Sequence, residues 1–376
     1  TRIKGNVHYV GVNDRNKHRF EGMWPLPYGV SYNSYLIDDE MVALVDTVDI
    51  CYFEVYLRKI KQVIGERPIN YLIINHMEPD HSGSIRLIKQ HYPEIIIVGN
   101  KQTFGMIEGF YGVTGEQYLV KEGDFLALGH HKLRFYMTPM VHWPETMMTF
   151  DETDGVLFSG DGFGCFGTVD GGFLDTRINV DKYWGEMVRY YSNIVGKYGS
   201  PVQKALQKLG GLPISAICST HGPVWTENIA KVIGIYDRLS RYDADEGVVI
   251  AYGSMYGNTE QMAEAIAEEL SAQGVKNIVM HNVTKSHPSY IIADIFRYKG
   301  LIIGSPTYSN QIFPEVEALL SKILLREVKG RYLGYFGSFT WAGAAVKRLA
   351  EFAEKSKFEL VGDPVEMKQA MKDLTY

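Results

Sequence analysis

Four side chains that commonly bind metals fall within six positions of one another: His76, Glu78, Asp80 and His81. They follow the apolar run Tyr71-Leu72-Ile73-Ile74, which has the pattern of a buried parallel strand. A loop that leaves the carboxyl end of such a strand is where α/β proteins place their sites. A single polar loop residue is usually solvated. Two imidazoles and two carboxylates packed this tightly favour a bound cation, and we expect a metal site here.

Three more candidate ligands, His142, Asp161 and His221, each follow an apolar run farther along the chain. Each one alone would more often be a hydrogen-bonded structural residue or a turn residue than a ligand. Together they complete a set of seven, which two metals sharing one bridging carboxylate require. We assign His76, Glu78 and His142 to the first metal group. The second metal group is Asp80, His81 and His221, and Asp161 is the bridge.

The ligand types narrow the choice of metal. Imidazole suits zinc, iron or copper, whereas carboxylate oxygens favour harder ions. The spacing resembles the His-x-His-x-Asp-His signature of the metallo-β-lactamase superfamily, whose hydrolases commonly hold zinc, but Glu78 replaces the middle histidine. The added anionic oxygen favours two irons that cycle between ferrous and ferric states. Three carboxylates and one bridging hydroxide neutralise two ferrous ions, which lowers the cost of burying them.

Composition and charge exclude several classes of protein. A chain of 376 residues is long enough for two domains. Its net charge is -6, and no cluster of lysines and arginines is long enough to follow a phosphate backbone, so nucleic acid is not an expected partner. The start Thr1-Arg2-Ile3-Lys4 has no apolar signal core, and no apolar run approaches the roughly 18 residues of a membrane span. We expect a cytoplasmic protein without a membrane partner.

The three cysteines, Cys51, Cys165 and Cys218, lie far apart in the sequence. The sequence contains no Cys-x-x-Cys motif. We therefore expect no structural zinc, iron-sulfur cluster or fused rubredoxin module, because each would need such cysteine ligands. We expect all three to be reduced and mostly buried. The other histidines are expected to be surface or structural residues.

The first part of the chain alternates short β-rich runs with a few helical stretches. Predicted strands span Val7 to Val10, Ser31 to Ile37, Met41 to Asp46, Tyr71 to Ile74, Ile95 to Val98, Lys132 to Met137, Thr146 to Asp151 and Val156 to Ser159. Runs of strands before helices favour two sheets packed face to face with helices outside, an αββα sandwich. Polar residues from Asp237 to Glu246 interrupt this pattern, and we place a domain boundary there, with domains at 1–245 and 246–376.

The second domain begins as a new α/β unit. The strand Gly247 to Tyr252 runs into the small-residue turn 253–259, and an amphipathic helix follows from Glu260 to Gln273. Backbone N–H groups of such a turn at a helix N-terminus form an anion site suited to a phosphate. The turn has neither the Gly-Lys-Ser/Thr of a nucleoside-triphosphate loop nor a Gly-x-Gly-x-x-Gly fingerprint. It resembles the phosphate loop of flavodoxins, which binds the phosphate of FMN.

Two later strands, Gly300 to Gly304 and Tyr332 to Phe336, are each followed by a further polar loop. In a doubly wound parallel sheet these loops, with the aromatic rings of Tyr308 and Trp341, would reach the same crevice. The predicted FMN-binding residues are Ser254, Met255, Tyr256, Gly257, Asn258, Thr259, Pro306, Thr307, Tyr308, Asn310, Ser338, Phe339, Thr340, Trp341 and Gly343.

A β-lactamase-like domain with His-x-Glu-x-Asp-His, followed by a flavodoxin-like domain, resembles the flavodiiron proteins, also called A-type flavoproteins or rubredoxin:oxygen oxidoreductases. The resemblance covers essentially the whole chain. It implies a diiron centre fed by FMN that reduces dioxygen to water, nitric oxide to nitrous oxide, or both. It also implies a head-to-tail homodimer or a dimer of dimers, and rubredoxin or a similar protein as electron donor. Because the chain ends at Tyr376 with no rubredoxin or flavin-reductase extension, it resembles the minimal class.

Two other functions stay open from the sequence. One is a zinc-dependent hydrolase of the β-lactamase superfamily with an accessory flavodoxin domain, which Glu78 argues against. The other is an electron carrier with a vestigial metal site, which the complete ligand set argues against. One departure from the family also matters: some members carry a histidine near the substrate pocket where this chain has Glu21. The preference between the two gases therefore stays open.

Overall fold

The computed structural model describes residues 2–372. Residue 1 of the predicted first domain and residues 373–376 of the second lie outside this range. The chain forms two compact units, one running to residue 191 and from 200 to 237, the other comprising 192–199 and the chain from 238 onward. The boundary after residue 245 stays a prediction. Across the described residues, no helix is both long and apolar enough to cross a lipid bilayer.

The first unit is built from many short strands. In chain order they are β1 (Arg2–Lys4), β2 (Val7–Tyr9), β3 (Val12–Asp14), β4 (Arg19–Phe20), β5 (Trp24–Pro25), β6 (Val30–Tyr32), β7 (Tyr35–Ile37), β8 (Ala43–Val45), β9 (Tyr71–Ile73), β10 (Ile96–Gly99), β11 (Gln117–Leu119), β12 (Phe125–Ala127), β13 (Lys132–Met137), β14 (Met147–Asp151), β15 (Val156–Gly160) and β16 (Ala216–Ser219). The helices up to residue 240 are α1 (Phe53–Ile64), α2 (Pro79–Ser82), α3 (Ile85–His91), α4 (Lys101–Tyr111), α5 (Asp181–Tyr190), α6 (Gly199–Leu209) and α7 (Ile229–Ser240), with 3-10 turns at Ile50–Tyr52 and Gly196–Tyr198 and a π-helical turn at Tyr191–Val195.

Two sheets enclose the core of this unit. One has the order β1-β2-β7-β8-β9-β10-β11 and the other β12-β13-β14-β15-β16. Apolar side chains of both sheets, such as Tyr35 and Ile73 from one and Phe135 and Phe158 from the other, share a single buried cluster. Removing these faces from water stabilises the pair of sheets, and the predicted sandwich is confirmed.

Three local predictions in this unit are wrong. Cys51 is exposed, although Cys165 and Cys218 are buried as expected. The segment Ser31 to Ile37 forms two strands rather than one, because β6 pairs with β3 whereas β7 pairs with β2 and β8. Asn33 lies between them, and its side-chain amide donates to the carbonyl oxygens of Ser219 and Gly222 at 2.9 and 2.8 Å. The loop predicted after β9 contains the short helix α2, whose first residue is Pro79, where a missing N–H costs nothing.

The second unit has one mainly parallel sheet. Its strands are β17 (Asp245–Tyr252), β18 (Ile278–Asn282), β19 (Tyr298–Tyr308), β20 (Gln311–Ile312), β21 (Tyr332–Phe339), β22 (Glu359–Leu360) and β23 (Val365–Lys368), and its helices are α8 (Asn258–Ala272), α9 (Pro288–Arg297), α10 (Pro314–Leu325) and α11 (Ala345–Ser356). The sheet order β18-β17-β19-β21-β22, with parallel pairing along that path, confirms the doubly wound prediction.

Candidate metal centre and flavin site

The seven predicted metal ligands lie together in the first unit, and all are buried. His76 and Glu78 come from the segment between β9 and α2, Asp80 and His81 lie within α2, and His142 comes from the loop between β13 and β14. Asp161 directly follows β15, and His221 follows β16 two residues after its end. Because these strands end at one edge of the sandwich, their short loops converge there.

Asp161 lies between the two groups that the sequence assigns to separate metals. Its Oδ2 is 3.1 Å from His142 Nε2 and 3.5 Å from His76 Nε2. On the same side, Glu78 Oε2 is 3.2 Å from His142 Nε2. The carboxylate therefore presents one oxygen to the first metal group.

The other oxygen of Asp161 faces the second metal group. Its Oδ1 is 3.2 Å from His81 Nε2 and 3.6 Å from His221 Nε2, and His221 Nε2 is 3.3 Å from Asp80 Oδ2. Within the described residues, single ligand atoms of Asp80, His81 and His221 all lie within 4.8 Å of one another, as do those of His76, Glu78, His81 and Asp161. His81 belongs to both sets, and each set is compact enough to hold one cation.

Several polar atoms at this centre have no hydrogen-bond partner among residues 2–372. Both carboxylate oxygens of Asp80 and the Nε2 atoms of His81 and His221 are buried in this state. Burying such groups without a partner is costly, and native structures rarely tolerate it. Cations between the ligands would satisfy them, so the donor set fits metal ions with nitrogen and oxygen preferences.

The electrostatics of the centre favour positive charge. Burial alone would raise the pKa of Asp161, but the imidazoles of His81 and His76 hold it well below its usual range. Burial would also raise the pKa of Glu78, yet hydrogen bonds from His142 and His76 lower it to about 2. Conversely, Asp161 and Asp80 overcome burial and raise the pKa of His81 to about 10. Protons and metal ions therefore compete for the same imidazoles, and metal binding must release protons.

The second unit carries a cavity of about 410 Å³ at the carboxyl ends of β17, β19 and β21. The predicted FMN-binding residues line it, apart from Gly257 and Gly343. Gly257 has a φ of +93° and caps the N-terminus of α8, a conformation that favours glycine. Gly343 lies close to the Glu366 carboxylate, which a Cβ would meet at 2.3 Å.

The lining also corrects the sequence analysis in part. Pro306, Thr307 and Tyr308 belong to β19, and Ser338 and Phe339 to β21, instead of loops. The strands extend because β19 pairs with β20 on one side and β21 with β23 on the other. Three lining residues were not predicted, namely Ser309, Ala342 and Gln369. No motif marks Gln369, which only the return of β23 brings to the cavity.

The cavity has the features of a site for a phosphorylated aromatic ligand. The turn before α8 is closed by a hydrogen bond of 3.1 Å from the Gly257 N–H to Ser254 Oγ, and Thr259 Oγ1 lies 2.8 Å from Ser338 Oγ. The side chains of Tyr256 and Trp341 at the rim are 89% and 84% exposed. Large exposed rings beside a polar turn mark a binding surface for a flat heterocycle.

Comparison with known proteins agrees with both predicted domain types. Residues 30–222 match the model of the ODP family beta lactamase, and residues 250–375 match the flavodoxin model. The anaerobic nitric oxide reductase flavorubredoxin of Vibrio vulnificus is 32% identical over 363 residues, which are 95% of this chain and 73% of that protein. The chain belongs to the flavodiiron protein family.

Solved structures place this flavodiiron protein among the same relatives. It superposes on rubredoxin oxygen:oxidoreductase from Desulfovibrio gigas with a TM-score of 0.95 and 31% identity, covering 100% of this chain and 94% of that chain. The flavodiiron protein from Giardia intestinalis gives a TM-score of 0.94 and 28% identity, over 98% of this chain and 91% of that one.

Three residues that contact the predicted ligands of this flavodiiron protein were missed from the sequence. Glu145 Oε1 lies 2.7 Å from His76 Nδ1, and the carbonyl oxygen of Ser31 lies 2.8 Å from His221 Nδ1. The Thr220 hydroxyl donates to Asp161 Oδ1. Glu145 is three residues after His142, and a buried carboxylate this close to a ligand was the signal that could have identified it. Ser31 acts through its backbone, which carries no sequence signal.

Proposed function

We propose that the chain reduces dioxygen to water, nitric oxide to nitrous oxide, or both, using two non-haem irons and FMN. The observation that carries this proposal is the position of Asp161, whose two carboxylate oxygens face two separate groups of ligands. The relatives named above support it, since they include a nitric oxide reductase and an oxygen oxidoreductase. The flavodoxin match supports FMN as the flavin.

In this proposal the ligand sets are those that the sequence suggested. His76, Glu78 and His142 would hold one iron, and Asp80, His81 and His221 the other, with Asp161 shared. When bound, two ferrous ions and one reduced FMN supply the four electrons that convert dioxygen into two waters, or the two that convert two molecules of nitric oxide into nitrous oxide and water.

The protein's own part is to position and shield. The Trp143 ring stands edge-on to His76 at 5.1 Å between ring centres, and the Phe20 ring is edge-on to His221 at 5.3 Å. Both rings exclude water from the imidazoles and fix their planes, which keeps the dielectric low around the charges.

The remaining features stay predictions. We propose a head-to-tail homodimer or dimer of dimers, because that arrangement would bring a flavin of one subunit to the metal centre of another. Rubredoxin or a similar protein would serve as donor, and the location would be cytoplasmic. Glu21 accepts a hydrogen bond from Trp24 Nε1 at 3.0 Å. In this proposal its side chain would set the polarity of the substrate pocket beside the metal centre.

The test is to purify the protein from cells supplied with both iron and zinc, and to measure metal and flavin content. Two irons and one FMN per chain are expected, with consumption of dioxygen or nitric oxide once a reductant is added. Zinc in place of iron, together with hydrolysis of a thioester or lactam without reductant, would contradict the proposal and favour the hydrolase.

A further inference from the structure

The imidazoles of His76 and His221, one from each proposed ligand group, are backed by groups of different charge. His76 and His221 both point Nε2 toward Asp161, at 3.5 and 3.6 Å. On the far side of each ring, His76 Nδ1 contacts the Glu145 carboxylate and His221 Nδ1 contacts the carbonyl oxygen of Ser31. One imidazole therefore rests on an anion, and its counterpart rests on a neutral dipole.

The position of Glu145 is fixed by several contacts. Its side chain is 0% exposed. Oε1 accepts hydrogen bonds from His76 Nδ1 at 2.7 Å and from the Met77 N–H at 2.8 Å. The Asn100 side-chain amide donates to the Glu145 carbonyl oxygen at 2.6 Å. Two N–H groups therefore point at one carboxylate oxygen, an arrangement that favours the ionised form of the side chain.

We infer that Glu145 makes the two iron positions unequal, strengthening retention of the ion at His76 and favouring its ferric state. This inference rests on the proposed function. A carboxylate behind an imidazole makes the imidazole a more basic ligand and fixes its plane. In a buried site, a negative charge also stabilises the more positive of two oxidation states. With iron bound, the oxidation concerned would remove one electron from the ion at His76 and pass it to the soluble one-electron oxidant used in a redox titration, and no bond would form or break.

The chain offers a matched control. His131 Nδ1 lies 2.9 Å from Asp151 Oδ2, and both side chains are buried in the first unit. Asp151→Asn therefore removes the charge from another buried histidine–carboxylate pair without touching a proposed ligand. A change seen with Glu145→Gln but not with Asp151→Asn reports on the iron rather than on general destabilisation.

The first experiment follows iron release to a chelator from the purified holoprotein. In Glu145→Gln, which keeps an oxygen for the Met77 N–H, one iron should leave about 10- to 100-fold faster and the other at the wild-type rate. Asp151→Asn should release both irons at wild-type rates. Glu145→Asp, which restores the charge, should recover part of the loss. FMN content and melting temperature are measured in every variant.

The second experiment titrates the reduction potential of each iron. In Glu145→Gln the lower of the two potentials should rise and approach the other, and a tenfold loss of preference for the ferric state corresponds to about 59 mV. If the release rate and the potential change equally at both irons, or change at neither, the inference about Glu145 is wrong while the proposed function still stands. A wild-type protein that does not hold two irons would overturn the proposed function, and the inference with it.

Discussion

The metal centre and the flavin cavity differ in how far the protein alone completes them. The seven predicted metal ligands are at most 9% exposed and already face one another. The flavin cavity instead leaves Tyr256 and Trp341 almost fully exposed. Buried charges are expensive to rearrange, so the chain must place them during folding. Aromatic rings can remain exposed before the ligand binds, because the bound ligand covers them.

The supporting hydrogen bonds show the same difference. Each outer nitrogen of His76 and His221 has a protein partner, and Thr220 holds Asp161. At the flavin cavity, the side chains of Thr259 and Ser338 bond to each other, and so they can exchange that bond for one to a ligand. The comparison predicts that changes at the metal centre abolish function, whereas changes at the flavin cavity weaken binding by small factors.

The largest effect is expected for Asp161→Ala. Removing the shared carboxylate takes a ligand oxygen from both groups, so turnover of dioxygen and nitric oxide should fall by more than about 100-fold, beyond the usual loss from a supporting residue. FMN content should be unchanged, since Asp161 lies in the other unit. Gas consumption and flavin absorbance of the purified variant measure both. Normal activity would contradict the shared position of Asp161.

The next effect concerns the identity of the metal. Glu78→His restores the histidine of the hydrolase signature and removes one anionic oxygen, so the ratio of bound iron to bound zinc should fall. Elemental analysis after expression with both metals measures this ratio. Glu78→Gln serves as the control, because it removes the charge without adding an imidazole. If Glu78→His keeps the wild-type ratio, the glutamate does not determine the metal.

A smaller effect is expected at the flavin cavity. Trp341→Ala should weaken FMN binding by about 0.5–1.5 kcal/mol, or roughly 2- to 10-fold, because one aromatic face is lost. Flavin fluorescence during titration of the apoprotein measures the dissociation constant. Trp341→Phe keeps a ring and should bind nearly as tightly as the wild type. Loss of iron in Trp341→Ala would show that the two sites are not independent.

The smallest effect concerns the His131–Asp151 pair, a buried histidine–carboxylate contact outside the metal centre. Burial lowers the pKa of His131, but the hydrogen bond and charge of Asp151, with Asp39 and Asp154 nearby, raise it overall. The pair's contribution is therefore complete below the unfolded pKa of about 6.5 and is lost as pH rises through the higher folded pKa.

Asp151→Asn should accordingly cost about 1 kcal/mol of unfolding free energy at pH 6 and less at pH 9. Urea denaturation at the two pH values measures the difference from the wild type. A cost that grows with pH would contradict the assignment of the raised pKa to this pair.

The sequence by itself determined the ligand types and most of the elements that carry them. The prediction for β13 agrees with the structure from Lys132 to Met137, and the strands before Asp161 and His221 end within a few residues of these ligands. Apolar periodicity and polar residues at strand ends are local signals. They predict the folded elements because one face of each element must be buried. The turn at 253–259 could also be predicted as a phosphate site, because small residues before a helix leave its N-terminal N–H groups accessible to an anion.

Only the tertiary structure decided which groups stand behind the ligands. Glu145 reaches His76 across 69 positions of sequence, and Ser31 reaches His221 across 190 through its backbone carbonyl. Such contacts depend on how two sheets pack, and neither spacing nor residue type encodes that distance. The separate pairing of β6 and β7 and the extension of β19 past Gly304 have the same origin, because a strand continues only as far as some neighbouring strand pairs with its backbone.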